Sequence, residues 1–80
     1  MYFVYILECS DGSLYTGITN NIEERIIKHE SGKGSKYVRS RLPVKLKYKE
    51  EYQTKSEALK REIEIKNLSR IEKQKIFEFV

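Results

Sequence analysis

Tyr2-Phe3-Val4-Tyr5-Ile6-Leu7-Glu8, then Ser10-Asp11-Gly12, then Leu14-Tyr15-Thr16-Gly17-Ile18-Thr19: two β-branched and aromatic runs joined by turn residues read as a β-hairpin. The loop length decides what the hairpin presents. A two-residue Asp11-Gly12 turn sets Tyr5 and Tyr15 on different faces. A three-residue loop of Ser10, Asp11 and Gly12, with Gly12 left-handed as a bulge, pairs Leu7 with Tyr15 and Tyr5 with Gly17, so both tyrosines share a face. That register leaves open space across from Tyr5, where Gly17 has no side chain.

Asn20 or Asn21 caps a helix with Glu23 and Glu24 in its first turn, running to about Ser31 before Gly32 stops it. Gly32 to Arg41 is a polar, basic connection closed by Pro43 and reads as a loop. Val44, Leu46, Tyr48 and Tyr52 alternate with Lys45, Lys47, Lys49 and Glu51, which predicts a half-buried strand whose lysines suit an edge. Thr54-Lys55-Ser56-Glu57 is a capping box opening a helix through about Asn67, and Ser69-Arg70-Ile71-Glu72 opens another. The order ββαβαα predicts an α+β fold, a small three-stranded antiparallel sheet flanked by helices, as one domain over residues 1–80.

Composition narrows the function. Eighty residues, 39% hydrophobic and 35% charged, allow one small domain that buries roughly 60% of the surface its unfolded chain exposes. No apolar stretch approaches the roughly 18 residues of a spanning helix, and the start has no basic n-region or cleavage site, so a cytoplasmic protein without membrane contact is expected. One cysteine, Cys9, and one histidine, His29, supply neither an internal disulfide nor a four-ligand zinc set.

The net charge of +4 is unevenly spread. Residues 1–24 hold four acids and no Lys or Arg, whereas Arg25 to Arg61 holds twelve basic residues against four acids. Such a belt suits a polyanion, because each neutralised phosphate releases counterions; it equally suits a solubilising surface. Within it Lys33, Lys36, Tyr37, Arg39 and Arg41 are candidates for tracking a nucleic-acid backbone, or a merely hydrated loop.

Other side chains carry two readings each. Glu62 falls in the apolar stripe of its helix with Ala58, Leu59 and Ile65, while Lys60, Arg61 and Glu64 point to solvent; it is a salt-bridged boundary residue, a metal ligand or a catalytic acid. Arg25 and His29, four residues apart and beside Ile22 and Ile26, are an Arg stem over the core and a boundary histidine, or a phosphate clamp beside a proton carrier. Tyr5 and Tyr15 are core aromatics or site residues. Several motifs fail: Gly12 and Gly17 have P-loop spacing but Ile18 stands where Lys is required, His29-Glu30 lacks the second zincin histidine, and no serine sits in an elbow motif.

Taken together, these residues resemble the GIY-YIG nuclease superfamily. Phe3-Val4-Tyr5 stands in place of the first motif, with Phe3 where the family has glycine, and Tyr15-Thr16-Gly17 in place of the second. Arg25, ten residues beyond Tyr15, and His29 match the arginine and histidine of the first helix, and Glu62 matches the metal-binding glutamate. The late asparagine of many members has no counterpart; Asn67, five residues after Glu62, is not assigned to it. The chain is most similar to the small, poorly characterised bacterial branch in which the domain stands alone.

The resemblance implies a metal-dependent DNA endonuclease, structure-selective and linked to repair or recombination. It implies Mg²⁺ or Mn²⁺ at Glu62 stabilising the leaving 3′ oxygen, and Arg25 offsetting charge on phosphorus. Tyr5 would be the general base, its phenolate favoured by a nearby cation, with Tyr15 and His29 orienting it or relaying the proton. Phosphate contacts carry no base information, so DNA binding should be largely sequence-independent, with targeting carried by the chain's own basic belt or by a protein partner. Two other classes stay open: a nucleic-acid-binding or adaptor domain that does not cut, and an interaction domain whose charge only keeps it soluble.

Overall fold

The hairpin adopts the three-residue loop. In the computed structural model, which describes residues 1–78, β1 (Tyr2–Glu8) and β2 (Leu14–Thr19) run antiparallel with Tyr5 opposite Gly17 and Leu7 opposite Tyr15. Cys9 N donates to Ser13 O at 2.9 Å, and Gly12 has φ 82°, a conformation that L side chains rarely adopt. Asp11 fixes the loop by accepting from Ser13 N (3.0 Å) and Ser13 Oγ (2.6 Å).

β3 (Lys45–Tyr52) pairs with the other side of β1, giving an antiparallel sheet of order β2-β1-β3. The central place of β1 explains its unbroken apolar run, since both faces are covered. Tyr5 and Leu7 pack on one face with Cys9, Val38 and Val44; Val4 and Ile6 pack on the other with Ala58 and Ile65. Strict alternation along β3 is broken. Ile6 lies opposite Tyr48 but Leu7 opposite Leu46, so Lys47 is an extra residue at a bulge. Paired residues share a face, so the bulge leaves Val44 and Leu46 on the Tyr5 side and turns Tyr48, Glu50 and Tyr52 to the Ile6 side. The single face expected for Val44, Leu46, Tyr48 and Tyr52 is thereby divided.

α1 (Ile22–Glu30) is capped by Asn21, whose side chain accepts from Glu24 N at 3.0 Å, and it ends at Ser31 before Gly32 at φ 80°. The connection expected to be a loop contains a short helix, α2 (Lys36–Arg39). Ser35 Oγ accepts from Val38 N at 3.1 Å, and Val38, with no exposed surface, anchors the turn in the core. α3 (Lys55–Lys66) and α4 (Arg70–Glu78) follow, with the expected caps. Thr54 Oγ1 accepts from Glu57 N at 3.2 Å, and Ser69 and Glu72 cap reciprocally at 2.9 and 3.2 Å. Asn67 is the C-cap of α3, a structural place for a residue the sequence left unassigned.

The hairpin tip is latched on two sides. Arg41 Nε meets Asp11 Oδ2 at 3.0 Å, and Arg70 Nε donates to Gly12 O at 2.8 Å. No helix among the described residues is long and apolar enough to cross a membrane.

Candidate active site

The register of β1 against β2 brings Tyr5 and Tyr15 onto one face, and α1 lays His29 against them. Tyr5 Oη and His29 Nε2 are 2.9 Å apart. Tyr15 completes the group, its ring centroid 6.4 Å from that of Tyr5 and 5.4 Å from that of His29. The space across from Tyr5 is taken by Tyr5 itself: a Cβ on Gly17 would lie 2.5 Å from Tyr5 Cζ. Gly34 does the same for the histidine, since a Cβ there would lie 2.8 Å from His29 Cε1 and closer still to Nδ1. The sequence reading missed Gly34; its signal was a second glycine in Gly32-Lys33-Gly34, just after the helix had already been stopped.

His29 is 1% exposed, and its Nδ1 has no hydrogen-bond partner among the described residues. Burial, followed by the nearby Arg25 charge, holds the histidine below its ordinary pKa, so the ring is neutral near pH 7. Tyr5 is pushed well above the ordinary phenol value, first by burial, then by Tyr15; Arg25 pulls it down and Glu62 pushes it up. Desolvation outweighs Arg25 at Tyr5, so the resting fold favours a neutral phenol hydrogen-bonded to a neutral imidazole.

Arg25 stands one turn before His29, half-buried, and its guanidinium forms no hydrogen bond or ion pair within the described residues. It lines a pocket of about 290 Å³ with Tyr2, Ile18, Thr19, Asn20 and Lys55, where α1 and α3 approach from opposite faces of the sheet near β2. Glu62 comes from α3 and its charge reaches Tyr5. Its side chain is 12% exposed, in a stripe with the fully buried Ala58 and Ile65, while Leu59 is turned out at 37%. Lys66 Nζ lies 3.6 Å away on an exposed stem, a weak partner.

The donor set limits the metal. Among the described residues no three His, Cys, Asp or Glu side chains gather as a metal cage. A single carboxylate does not suit Zn²⁺, but it suits Mg²⁺ or Mn²⁺, which keep waters and take phosphate oxygens. Glu62 fits that chemistry.

The candidate backbone-tracking residues divide. Tyr37, 39% exposed, stacks on Tyr15 with centroids 6.0 Å apart, which joins the basic segment to the tyrosine face. Arg41 is committed elsewhere: its Cζ lies 3.8 Å from the Tyr37 centroid, and it binds Asp11 and donates to Tyr37 O at 2.9 Å. It is a latch for the hairpin and α2. Lys33, Lys36 and Arg39 are exposed and enter no ion pair among the described residues.

A second polar group escaped the sequence reading. Glu50 accepts from Tyr48 (2.6 Å), Tyr52 (2.5 Å) and Arg61 Nε (2.9 Å) and Nη2 (3.1 Å), tying β3 to α3. Arg61, expected on the solvent face, turns inward to meet it. Burial pushes the Glu50 carboxyl up, but Arg61 and the two hydroxyls outweigh it and leave it below the usual range. The bond to Glu50 pushes Tyr52 up to about 12. The bulge at Lys47 hides this group from sequence, because it decides which face Glu50 joins.

A family profile described as the GIY-YIG catalytic domain matches residues 1–75. A UPF0213 protein of Staphylococcus epidermidis is 56% identical over 77 residues, covering 96% of this chain and 94% of its own, and one of Halobacterium salinarum is 48% identical over 77 residues, covering 96% of this chain and all of its own. The solution structure of a UPF0213 protein from Bacillus halodurans superposes with a TM-score of 0.63 at 48% identity, over 99% of this chain and 85% of that one. A protein of E. faecalis gives 0.66 at 39% identity, over 98% of this chain and 83% of that one. With Tyr5, Tyr15, Arg25, His29 and Glu62 all on the expected elements, the chain belongs to the GIY-YIG family, among its small UPF0213 members.

Proposed function

We propose that this protein is an endonuclease that hydrolyses phosphodiester bonds of DNA with the help of a divalent cation held by Glu62. What carries the reading is one juxtaposition: a buried Tyr5–His29 hydrogen bond beside a half-buried Arg25 guanidinium that has no carboxylate partner among the described residues. A desolvated guanidinium is matched by a phosphate, which accepts its forked donors.

The protonation states give Tyr5 a different part from a resting phenolate base. As water attacks phosphorus and the bond from phosphorus to the 3′ oxygen breaks, the water proton passes to Tyr5 Oη while the Tyr5 proton passes to His29 Nε2, leaving an imidazolium and a neutral phenol, and the 3′ oxygen takes up a proton from solvent. A lowered histidine pKa keeps His29 free to accept at neutral pH. Arg25 donates to the phosphate oxygens as charge gathers on them. Tyr15 holds the Tyr5 and His29 rings in register. The chemistry that Mg²⁺ or Mn²⁺ at Glu62 supplies is positive charge at the leaving 3′ oxygen. Lys33, Lys36, Arg39 and Tyr37 hold the strand by its backbone, with little sequence preference. A place in repair or recombination, preference for branched DNA, and a targeting partner extend this reading.

The test is incubation of the pure protein with supercoiled, branched and single-stranded DNA, with and without Mg²⁺ or Mn²⁺, beside Tyr5→Phe, Arg25→Ala and Glu62→Ala. Metal-dependent cutting lost in all three variants is the expected result. Cutting retained by all three marks a contaminant and ends the reading; salt-sensitive DNA binding without cutting by the wild type makes the chain a binding or adaptor domain instead.

A further inference from the structure

We infer that the pocket bounded by Arg25 and Lys55 is a second phosphate subsite, which holds the backbone phosphate next to the one attacked. The inference rests on the cleavage reading and adds Lys55 to it as a positioning residue. Lys55 is the first residue of α3, where the positive end of the helix dipole makes a cation unfavourable. It is exposed and enters no ion pair among the described residues, which leaves its charge free to meet a ligand in the pocket. Across the pocket lies Arg25, equally without a partner, and the remaining rim is supplied by Tyr2, Ile18, Thr19 and Asn20.

The polar atoms there are mostly uncommitted. Thr19 is spent on the β2–α1 turn, its Oγ1 accepting from Asn21 N at 3.1 Å and donating to Asn21 O at 3.2 Å. The Asn20 amide and the Tyr2 hydroxyl form no side-chain hydrogen bond within the described residues. Two cations, one amide and one phenol around about 290 Å³ match a sugar-phosphate segment, and the volume lies below what drug-sized ligands usually fill. Arg25 belongs to both places, since its charge acts on Tyr5 and His29 while its side chain forms the pocket wall. Arg25 thus links a phosphate at Lys55 to one at Tyr5 along a single strand, and Tyr37 stacks on Tyr15.

The experiment measures binding of fluorescein-labelled duplex and single-stranded DNA in EDTA, between about 50 and 200 mM salt, for wild type, Lys55→Gln, Lys55→Arg and Lys45→Gln. Lys45 lies at the opposite end of β3, paired with Glu8. Lys55→Gln is expected to make the salt slope shallower by about 1 and to weaken binding about fivefold near 0.15 M salt, with Lys55→Arg close to wild type. Its melting temperature should stay at or above the wild-type value. Equal effects of Lys55→Gln and Lys45→Gln overturn the subsite, as does inorganic phosphate that saturates the Lys55 and Asn20 amide shifts and is not displaced by DNA. If the Lys55 effect is absent while Tyr5→Phe still abolishes cutting, only the subsite falls. If the Lys55 effect is present while the wild type does not cut, the cleavage reading falls and Lys55 remains a contact to a backbone phosphate.

Discussion

The Tyr5 hydroxyl and His29 Nε2 lie 2.9 Å apart with each residue 1% exposed, and each ring is overlaid by a glycine, Gly17 or Gly34, whose missing side chain makes the room. A polar pair this deep is costly to disturb, because whichever partner remains is left unsatisfied in the core.

Tyr5→Phe should therefore separate folding from chemistry. Removing the hydroxyl leaves His29 Nε2 unpaired, an expected loss of about 1–3 kcal/mol in urea unfolding. Cleavage should fall further, by about 10²–10⁴-fold, as expected for a lost proton-transfer group. Equal activity of wild type and variant at matched folded fraction would remove Tyr5 from the reaction.

Gly17→Ala and Gly34→Ala should act on the same hydrogen bond from opposite sides. Neither glycine has a positive φ, so the effect comes from space alone. Each is expected to destabilise by about 1–3 kcal/mol through overpacking. In Gly34→Ala the imidazole is pushed toward water, and its pKa, followed by NMR, should rise toward the ordinary value. An unchanged His29 titration would show that the loop yields instead.

Acid should weaken the fold from about pH 6.5 downward. Burial and Arg25 hold native His29 below its ordinary value of 6.5, so in the window below 6.5 the unfolded chain binds a proton that the native state does not. Stability from this group is complete above that value and declines as pH falls toward the native pKa. Urea midpoints measured between about pH 5 and 7.5 should drop in the wild type and flatten in His29→Gln. A midpoint that rises on acidification would mean that the ring is charged in the fold. Cleavage by the folded protein, which needs neutral His29, should hold through that window and fall only as pH reaches the lower native pKa.

Glu50→Gln should loosen the attachment of α3 to β3. It weakens a forked bond to Arg61 whose partners are only 16% and 30% exposed, for an expected cost of about 1–3 kcal/mol in thermal or urea unfolding. A double-mutant cycle with Arg61→Met should give a coupling well above that of the exposed Arg61–Glu64 pair. Independent effects would reduce the cluster to surface charge.

Local chemistry explains what was legible from sequence. Ser10-Asp11-Gly12 sets the hairpin register through loop length and one left-handed glycine, and Thr54, Ser69 and Asn21 announce helix starts with their own side chains. The order of Tyr5, Tyr15, Arg25, His29 and Glu62 then pointed to the candidate site. The features missed depend on partners remote in sequence. Lys47 bulges because of how β3 meets β1, Arg61 turns inward because the bulge turns Glu50 toward it, and Gly34 matters only once His29 lies beneath it. α2 spans four residues, too few for a periodic pattern, and is declared only by Ser35 and the buried Val38.

α4 contributes no fully buried residue: Ile71 is 64% exposed, and Ile76 and Phe77 pack only at the margin of the Val4–Ile6 face, with the Arg70–Gly12 bond as its anchor at the hairpin. Such a helix is the element with least to lose on opening, so amide exchange should run fastest there and slowest in β1, through excursions that stop short of global unfolding. Those excursions uncover the sheet on the face away from Tyr5 and His29. The chain thus places its most readily released segment and its tyrosine–histidine pair on opposite sides of one strand, so breathing at one need not disturb the other.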